Sequence, residues 1–180
     1  MLATMHQRRA RLTRLHRQRG ASLLEAIAYL GVAAIVVLAA ISLLQGAFGG
    51  ARSNQFMEEI TGLRTAVQKM YAGQSYDDAT MVANLVTAKA IPGTLTIGQG
   101  NAITNAWGGK VTVAKVDGAS FRITYESVPQ DVCMNVLTGA SGWTRIADGA
   151  DANAIIVFPV TAAGAAAFCK ASTTIAFTSN

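Results

Sequence analysis

Residues 20–51 read GASLLEAIAYLGVAAIVVLAAISLLQGAFGGA. From Ala26 to Ala51 no residue carries a charge. As a helix the run spans about 39 Å at about 1.5 Å per residue, enough to cross an apolar bilayer core of about 30 Å. Its start carries a helix signal: Ser22-Leu23-Leu24-Glu25 fits the capping box, in which the serine caps and the glutamate reaches back. Yet Glu25 stands where the membrane should begin. A carboxylate in apolar surroundings costs several kcal/mol unless it finds a partner.

Upstream lies a basic tail. Residues 1–20 hold six arginines (Arg8, Arg9, Arg11, Arg14, Arg17 and Arg19) and no acidic residue. The whole chain of 180 residues has a net charge of +5 from 15 basic and ten acidic side chains. Beyond residue 20 only nine basic residues face those ten acids, a net charge of −1. The basic character therefore belongs to the tail and not to a nucleic-acid-binding face. Arginines on one side of an apolar span predict a cytoplasmic N-terminus and an exported remainder. A secretory signal peptide fits poorly, because the apolar run is too long and opens on a charge. Both histidines, His6 and His16, lie in the tail, so the body has none for proton transfer or metal ligation. No Gly-x-Ser-x-Gly, phosphate-binding loop or Cys-x-x-Cys occurs. Asp148-Gly149-Ala150-Asp151-Ala152-Asn153 matches no complete calcium loop and reads as a turn. No cofactor and no metal are expected.

Downstream, Gly46, Gly49 and Gly50 interrupt the helical pattern, each costing about 1 kcal/mol inside a helix. Two readings stand: the helix ends there, or the segment can unwind when subunits pack. The pattern then resumes. Phe56, Ile60, Leu63, Val67 and Met70 repeat at helical spacing, while Glu58, Glu59, Arg64, Gln68 and Lys69 fill the other faces. This suits an element that is apolar all round in its first half and carries a globular head on one stripe of its second.

In the head, a helix is expected over 79–89, stopped by Pro92-Gly93. Strands are expected over 94–97, 110–116 and 121–128, the last two joined at Asp117-Gly118. A helix over 130–137, strands over 143–146 and 155–158, a short helix capped by Thr161 and a closing strand over 173–177 complete it. A long helix on a mostly antiparallel sheet is α+β. Cys133 and Cys169 are the chain's only cysteines. The exported topology favours a disulfide between them, the alternative being two buried thiols. Such a bridge would constrain residues 134–168, which are rich in small and polar residues and look weakly cored.

The N-terminal constellation is a basic leader ending in Gly20, then Ala21, then Glu25 five positions after the glycine, then a long apolar helix. It resembles the class III signal of type IV prepilins. The resemblance continues through Tyr71-Ala72-Gly73-Gln74-Ser75-Tyr76, Ala90-Ile91-Pro92, Ile103-Thr104-Asn105-Ala106-Trp107-Gly108-Gly109 and Ala167-Phe168-Cys169-Lys170. These stretches are similar to type IVb pilins, in particular the bundle-forming and conjugative thin-pilus pilins. The family's first mature residue is often Phe, Met or Leu, where this chain has Ala21.

The resemblance implies the type IV pilin fold, with a C-terminal region bracketed by Cys133 and Cys169. It implies a leader of residues 1–20 cut by prepilin peptidase between Gly20 and Ala21, and a methylated new N-terminus. Residues 21–51 would be membrane anchor and filament core, and residues 52–180 the amphipathic half of the helix plus the head. Glu25 would pair with a neighbour's N-terminal amine, and Leu23, Leu24, Ile27, Tyr29 and Leu30 would pack between subunits. The chain would be no enzyme. Its partners would be further copies of itself, the peptidase, the inner-membrane assembly machinery, and a host or recipient-cell surface. It would wait in the bacterial inner membrane and then enter an extracellular filament. Related readings are a minor pilin or a secretion pseudopilin. A membrane-anchored periplasmic binding module is the reading from another class.

Overall fold

The computed structural model describes residues 22–180 except 77, 78, 150, 152 and 153, with Gln45 and Gly46 in backbone only. The expected leader and the Gly20–Ala21 junction lie outside the described residues. The chain divides at Leu43/Leu44 into two units, the first holding the start of helix α1 (Leu23–Met70) and the second everything after it.

The second unit is α+β. After α1 come α2 (Met81–Thr87), β1 (Thr96–Ile97), a 3-10 turn (Gln99–Asn101), β2 (Ile103–Thr104), β3 (Lys110–Asp117) and β4 (Ser120–Pro129). Then follow α3 (Gln130–Gly139), β5 (Arg145–Asp148), α4 (Ala162–Phe168) and β6 (Ser172–Ser179). Six strands make one antiparallel sheet in the order β1-β2-β3-β4-β6-β5. The last strand in sequence thus lies between β4 and β5.

The sheet forms where the side chains alternate. Phe121, Ile123 and Tyr125 on β4 turn inward, while Arg122 and Thr124 do not. Val111 and Val113 on β3, Ile175 and Phe177 on β6 and Ile146 on β5 join that buried face. Against it lies the α1 stripe of Phe56, Ile60, Leu63 and Val67, all fully buried. Phe56 is the keystone: its ring meets Tyr125 edge-on at 4.6 Å, Trp107 at 5.7 Å and Phe177 at 6.2 Å. Edge-to-face pairs of this kind add about 0.5–1.5 kcal/mol each to the burial of the rings.

Two turns fix the register. Asp117 accepts from the Ala119 N–H at 2.8 Å and the Ser120 hydroxyl at 2.8 Å, closing the β3–β4 hairpin over Gly118 and Ala119. Those two bonds hold the Asp117 carboxyl below the usual range, the serine hydroxyl contributing most. At the other end, buried Asn105 accepts from the Trp107 and Gly109 N–H groups at 3.0 and 2.8 Å. Its amide donates to the Glu126 carbonyl at 2.8 Å. The two strands approach so closely here that any side chain on Gly109 would collide with the Glu126 carbonyl. Opposite it β4 bulges, with Ser127 at φ 59°.

Several expectations need correction. Helix α1 does not end at the glycines; it runs on through Gly49 and Gly50. Gly49 faces α3, where an added Cβ would stand 3.3 Å from Asp131 Oδ2. One turn on, the Ser53 hydroxyl donates to the Gly49 carbonyl at 2.9 Å and accepts from the Asn135 amide at 3.3 Å. The glycine and serine thus make a notch for α3. The stripe ends on buried Tyr71 and not on half-buried Met70. Glu59 does not face solvent: it is 2% exposed, held by the Gln55 amide at 3.0 Å.

Residues 155–158 are no strand. Ile155 makes a single bridge to Ala147, and Ile156 donates to the Ile146 carbonyl at 2.9 Å, after which the chain leaves the sheet. The strand placed over 143–146 begins at Arg145 instead, and Trp143 packs on Phe177 at 5.1 Å beneath the Arg64 guanidinium. The segment 134–168 is better cored than its composition suggests, with Val136, Leu137, Trp143, Ile146, Ile156 and Ala165 buried. Thr161 caps α4 as expected, accepting from the Gly164 N–H at 3.1 Å. The cysteines are bridged: Cys133 on α3 joins Cys169 at the end of α4, with Cα atoms 5.8 Å apart.

Candidate assembly surface

The residues expected to carry assembly begin α1. Ser22 caps the helix, its hydroxyl accepting from the Glu25 N–H at 3.2 Å and its carbonyl from the Ala26 N–H at 3.0 Å. Those bonds satisfy donors that every helix start leaves open. The Glu25 carboxylate accepts from the Tyr29 hydroxyl at 3.3 Å, one turn on. A carboxylate in the first turn is favoured by the helix dipole. Leu23, Leu24, Ile27 and Leu30 follow at helical spacing, and every described side chain from Leu23 to Leu44 is exposed. Leu23 is 80% exposed, and with Leu24, Ile27 and Leu30 it forms a contiguous exposed apolar surface of the kind that marks a membrane or protein contact. Fully burying such a side chain is worth about 1.5–3 kcal/mol.

Of the expected site residues, Leu23, Leu24, Glu25, Ile27, Tyr29 and Leu30 share these first two turns. Cys133 and Cys169 form a separate feature of the head. Gly20 and Ala21 lie outside the described residues. Among the described residues α1 is the one helix long and apolar enough to cross a membrane, by length and composition. No cluster of three or more His, Cys, Asp or Glu able to hold a metal occurs among the described residues.

Sequence reasoning missed the notch at Gly49 and Ser53. Its signal is present, as small residues four apart facing another helix mark close packing, but both readings of the glycines, a helix end and a segment able to unwind, treat them as interruptions. It also missed the groove along α1 between Met57, Ala66 and Met70 and the Ala88–Ala90 segment, because grooves are made by elements distant in sequence.

The family described as PilS N terminal matches residues 51–180. The crystal structure of type IV b pilin from Salmonella typhi is similar at 27% identity and TM-score 0.54, over 68% of this chain and 97% of that one. The NMR structure of the type IVb pilin PilS from Salmonella typhi is 27% identical, with TM-score 0.49 over 70% of this chain and 94% of that one. No curated protein sequence matches. With the match over residues 51–180, the apolar helix and the disulfide-bracketed α+β head are those of a pilin subunit. The chain belongs to the PilS family of type IVb pilins.

Proposed function

We propose that this chain is a pilus subunit whose first 20 residues are a leader, removed by prepilin peptidase between Gly20 and Ala21, with methylation of the new amine. Residues 21–51 then anchor the subunit in the inner membrane and later form the filament core. Residues 52–180 carry the head to the filament surface. The observation that carries this reading is the start of α1, a capped helix whose apolar residues from Leu23 to Leu44 are all exposed and whose first turn holds Glu25.

The chemistry of assembly is burial. Leu23, Leu24, Ile27, Tyr29 and Leu30 leave lipid for the helices of neighbouring subunits, losing nothing in apolar surroundings. Glu25 supplies specificity. A carboxylate moved into an apolar core is tolerated when a cation meets it, and the free amine of a neighbour's N-terminus is such a cation. A subunit one register away leaves both charges unpaired. The amine exists only after the leader is cut, so cleavage and assembly competence are coupled. The finished filament serves contact with host, recipient or sister cells.

The test is the intact mass and N-terminal sequence of material sheared from cells that make the protein. A methylated chain starting at Ala21 is expected. A chain that keeps Met1 and stays in the membrane, or one that starts near residue 45, overturns the reading.

A further inference from the structure

The start of α1 holds a polar pair that apolar packing does not explain. The capping box expected there is half built. The Ser22 hydroxyl accepts from the Glu25 N–H at 3.2 Å, but among the described residues the Glu25 carboxylate does not reach back to Ser22. Its hydrogen bond runs forward instead, from the Tyr29 hydroxyl at 3.3 Å. Residues four apart share a helix face, and a helical side chain leans back over the turn before it. The Tyr29 ring therefore lies toward Glu25 by construction. Tyr29 is also the only residue from Ala26 to Ile41 whose side chain carries a polar atom. An apolar residue would pack between helices as well at that position, so it is the hydroxyl that needs a reason.

A tyrosine near the end of a membrane helix has an ordinary use, anchoring at the lipid–water boundary. That use needs the ring and no carboxylate one turn away. Tyr29 stands about 10 Å along the helix from Ser22, at about 1.5 Å per residue, and its hydroxyl turns back to Glu25. A carboxylate has two oxygens and room for about four hydrogen bonds. Tyr29 takes a place on Oε1 and leaves Oε2 without a hydrogen bond among the described residues. The bond is longer than usual for a hydroxyl donor, so it guides the carboxylate without saturating it. A cation can join the pair on Oε2 with the phenol still in place.

We infer that Tyr29 is a positioning residue for assembly. Its hydroxyl holds the Glu25 carboxylate in one arrangement on the helix face while the subunit waits in lipid, and it stays on Oε1 while Oε2 meets the N-terminal amine of a neighbouring subunit. This rests on the filament reading above and adds to it a second role for Tyr29 beside packing. A glutamate side chain has several free torsions, and fixing them in advance lowers the ordering cost of the ion pair. The same bond offsets part of the cost of a carboxylate in apolar surroundings. Charge on Glu25 sets which group it seeks; Tyr29 sets the direction in which it seeks it.

The test produces each full-length variant beside the wild-type chain in cells that assemble it. Mass spectrometry then reads the variant's share of the sheared filaments against its share of the membrane, a ratio measurable far below the level at which filament yield is. Tyr29→Phe keeps the ring and its apolar area and removes the hydroxyl. Its share should fall about fivefold or more, the worth of one ordinary hydrogen bond. On a Glu25→Ala chain the same change should cause no further fall, because the hydroxyl acts through the carboxylate. A role in packing or anchoring would give the same fall on both chains. A Tyr29→Phe chain taken up as well as the wild type or better, left uncut by prepilin peptidase, or depleted by the same factor on the Glu25→Ala chain would each overturn the inference and leave the pilus function standing. A Glu25→Ala chain taken up like the wild type would remove the carboxylate from assembly, and Tyr29 with it. Absence of any filament from wild-type cells would overturn the function as well.

Discussion

Asn105 makes three hydrogen bonds from a buried side chain, two of them to backbone N–H groups of its own turn and one to the carbonyl at the β4 bulge. Asn105→Ala would leave the Gly109 N–H and the Glu126 carbonyl without those partners in a site too tight for rearrangement. Leaving one such group unpaired costs about 1–3 kcal/mol, so a loss of about 2–4 kcal/mol is expected. Urea unfolding of the detergent-solubilised chain measures it. Tyr125 is the reverse case. Its hydroxyl is buried and finds no hydrogen-bond partner among the described residues. Burial pushes its phenol far above the ordinary value, and the Glu59 carboxylate pushes it the same way. Tyr125→Phe removes a desolvated hydroxyl while keeping the ring on Phe56, and should be neutral or stabilising by up to about 1–2 kcal/mol. A destabilised Tyr125→Phe chain in the same titration would show that the hydroxyl is bonded after all. Asn105, Gly108 and Gly109 are residues that mark a tight turn, so this one is local in sequence. The sequence could not reveal Glu59 as buried. Residue 59 falls beside the apolar stripe, and only the sheet's width decides whether that flank is covered.

At the scale of elements, the periodic signals carried furthest. The α1 stripe, the β3–β4 hairpin and the Thr161 cap are local patterns, each fixed by neighbours within a few positions. What misled was local as well. Ile155–Phe158 is apolar and bounded by a proline, yet a strand needs an edge to pair with. Only Ile155 and Ile156 reach β5, whose four residues offer no more. The glycines at 49 and 50 carry a helix cost that the sequence states correctly and that packing on α3 overrides. The bridge between α3 and α4 follows from the topology alone. It closes a separation of 36 residues that contains β5 and residues 155–158. The chain-entropy model gives about 4 kcal/mol for such a loop. The double substitution Cys133→Ala with Cys169→Ala should therefore lower unfolding stability by about that amount. Comparing its urea midpoint with that of the wild type checks this, and a reductant should shift the wild type toward the variant and leave the variant unmoved.

For the whole molecule, the N-terminal part of the proposed site is contiguous in sequence. The proposed leader, Glu25 and the apolar run follow one another, so the sequence displays them without any fold. The groove along α1 was illegible, because its floor at Met57, Ala66 and Met70 and its wall at Ala88 and Ala90 belong to separate elements that only the packing of the head brings together. The Glu25 reading belongs to this scale, since the partner proposed for it is the N-terminal amine of another subunit. Within its own helix Glu25 contacts Ser22 and Tyr29. Glu25→Gln keeps shape and removes charge. Breaking a buried ion pair costs about 3–5 kcal/mol, so sheared filament yield should fall by more than about tenfold while the urea midpoint of the chain stays put. Equal yields from Glu25→Gln and wild-type cells would remove the carboxylate from the assembly scheme.

The place of β6 gives the molecule a timetable. The chain's last strand is the one that joins β4 to β5. Until residues 172–179 are in place, β4 and β5 each lack a neighbour and the inner face lacks Ile175 and Phe177. A head without them presents bare strand edges, ready to pair with another chain. Closure therefore waits for the final strand, and no earlier part of the chain can hide those edges on its behalf.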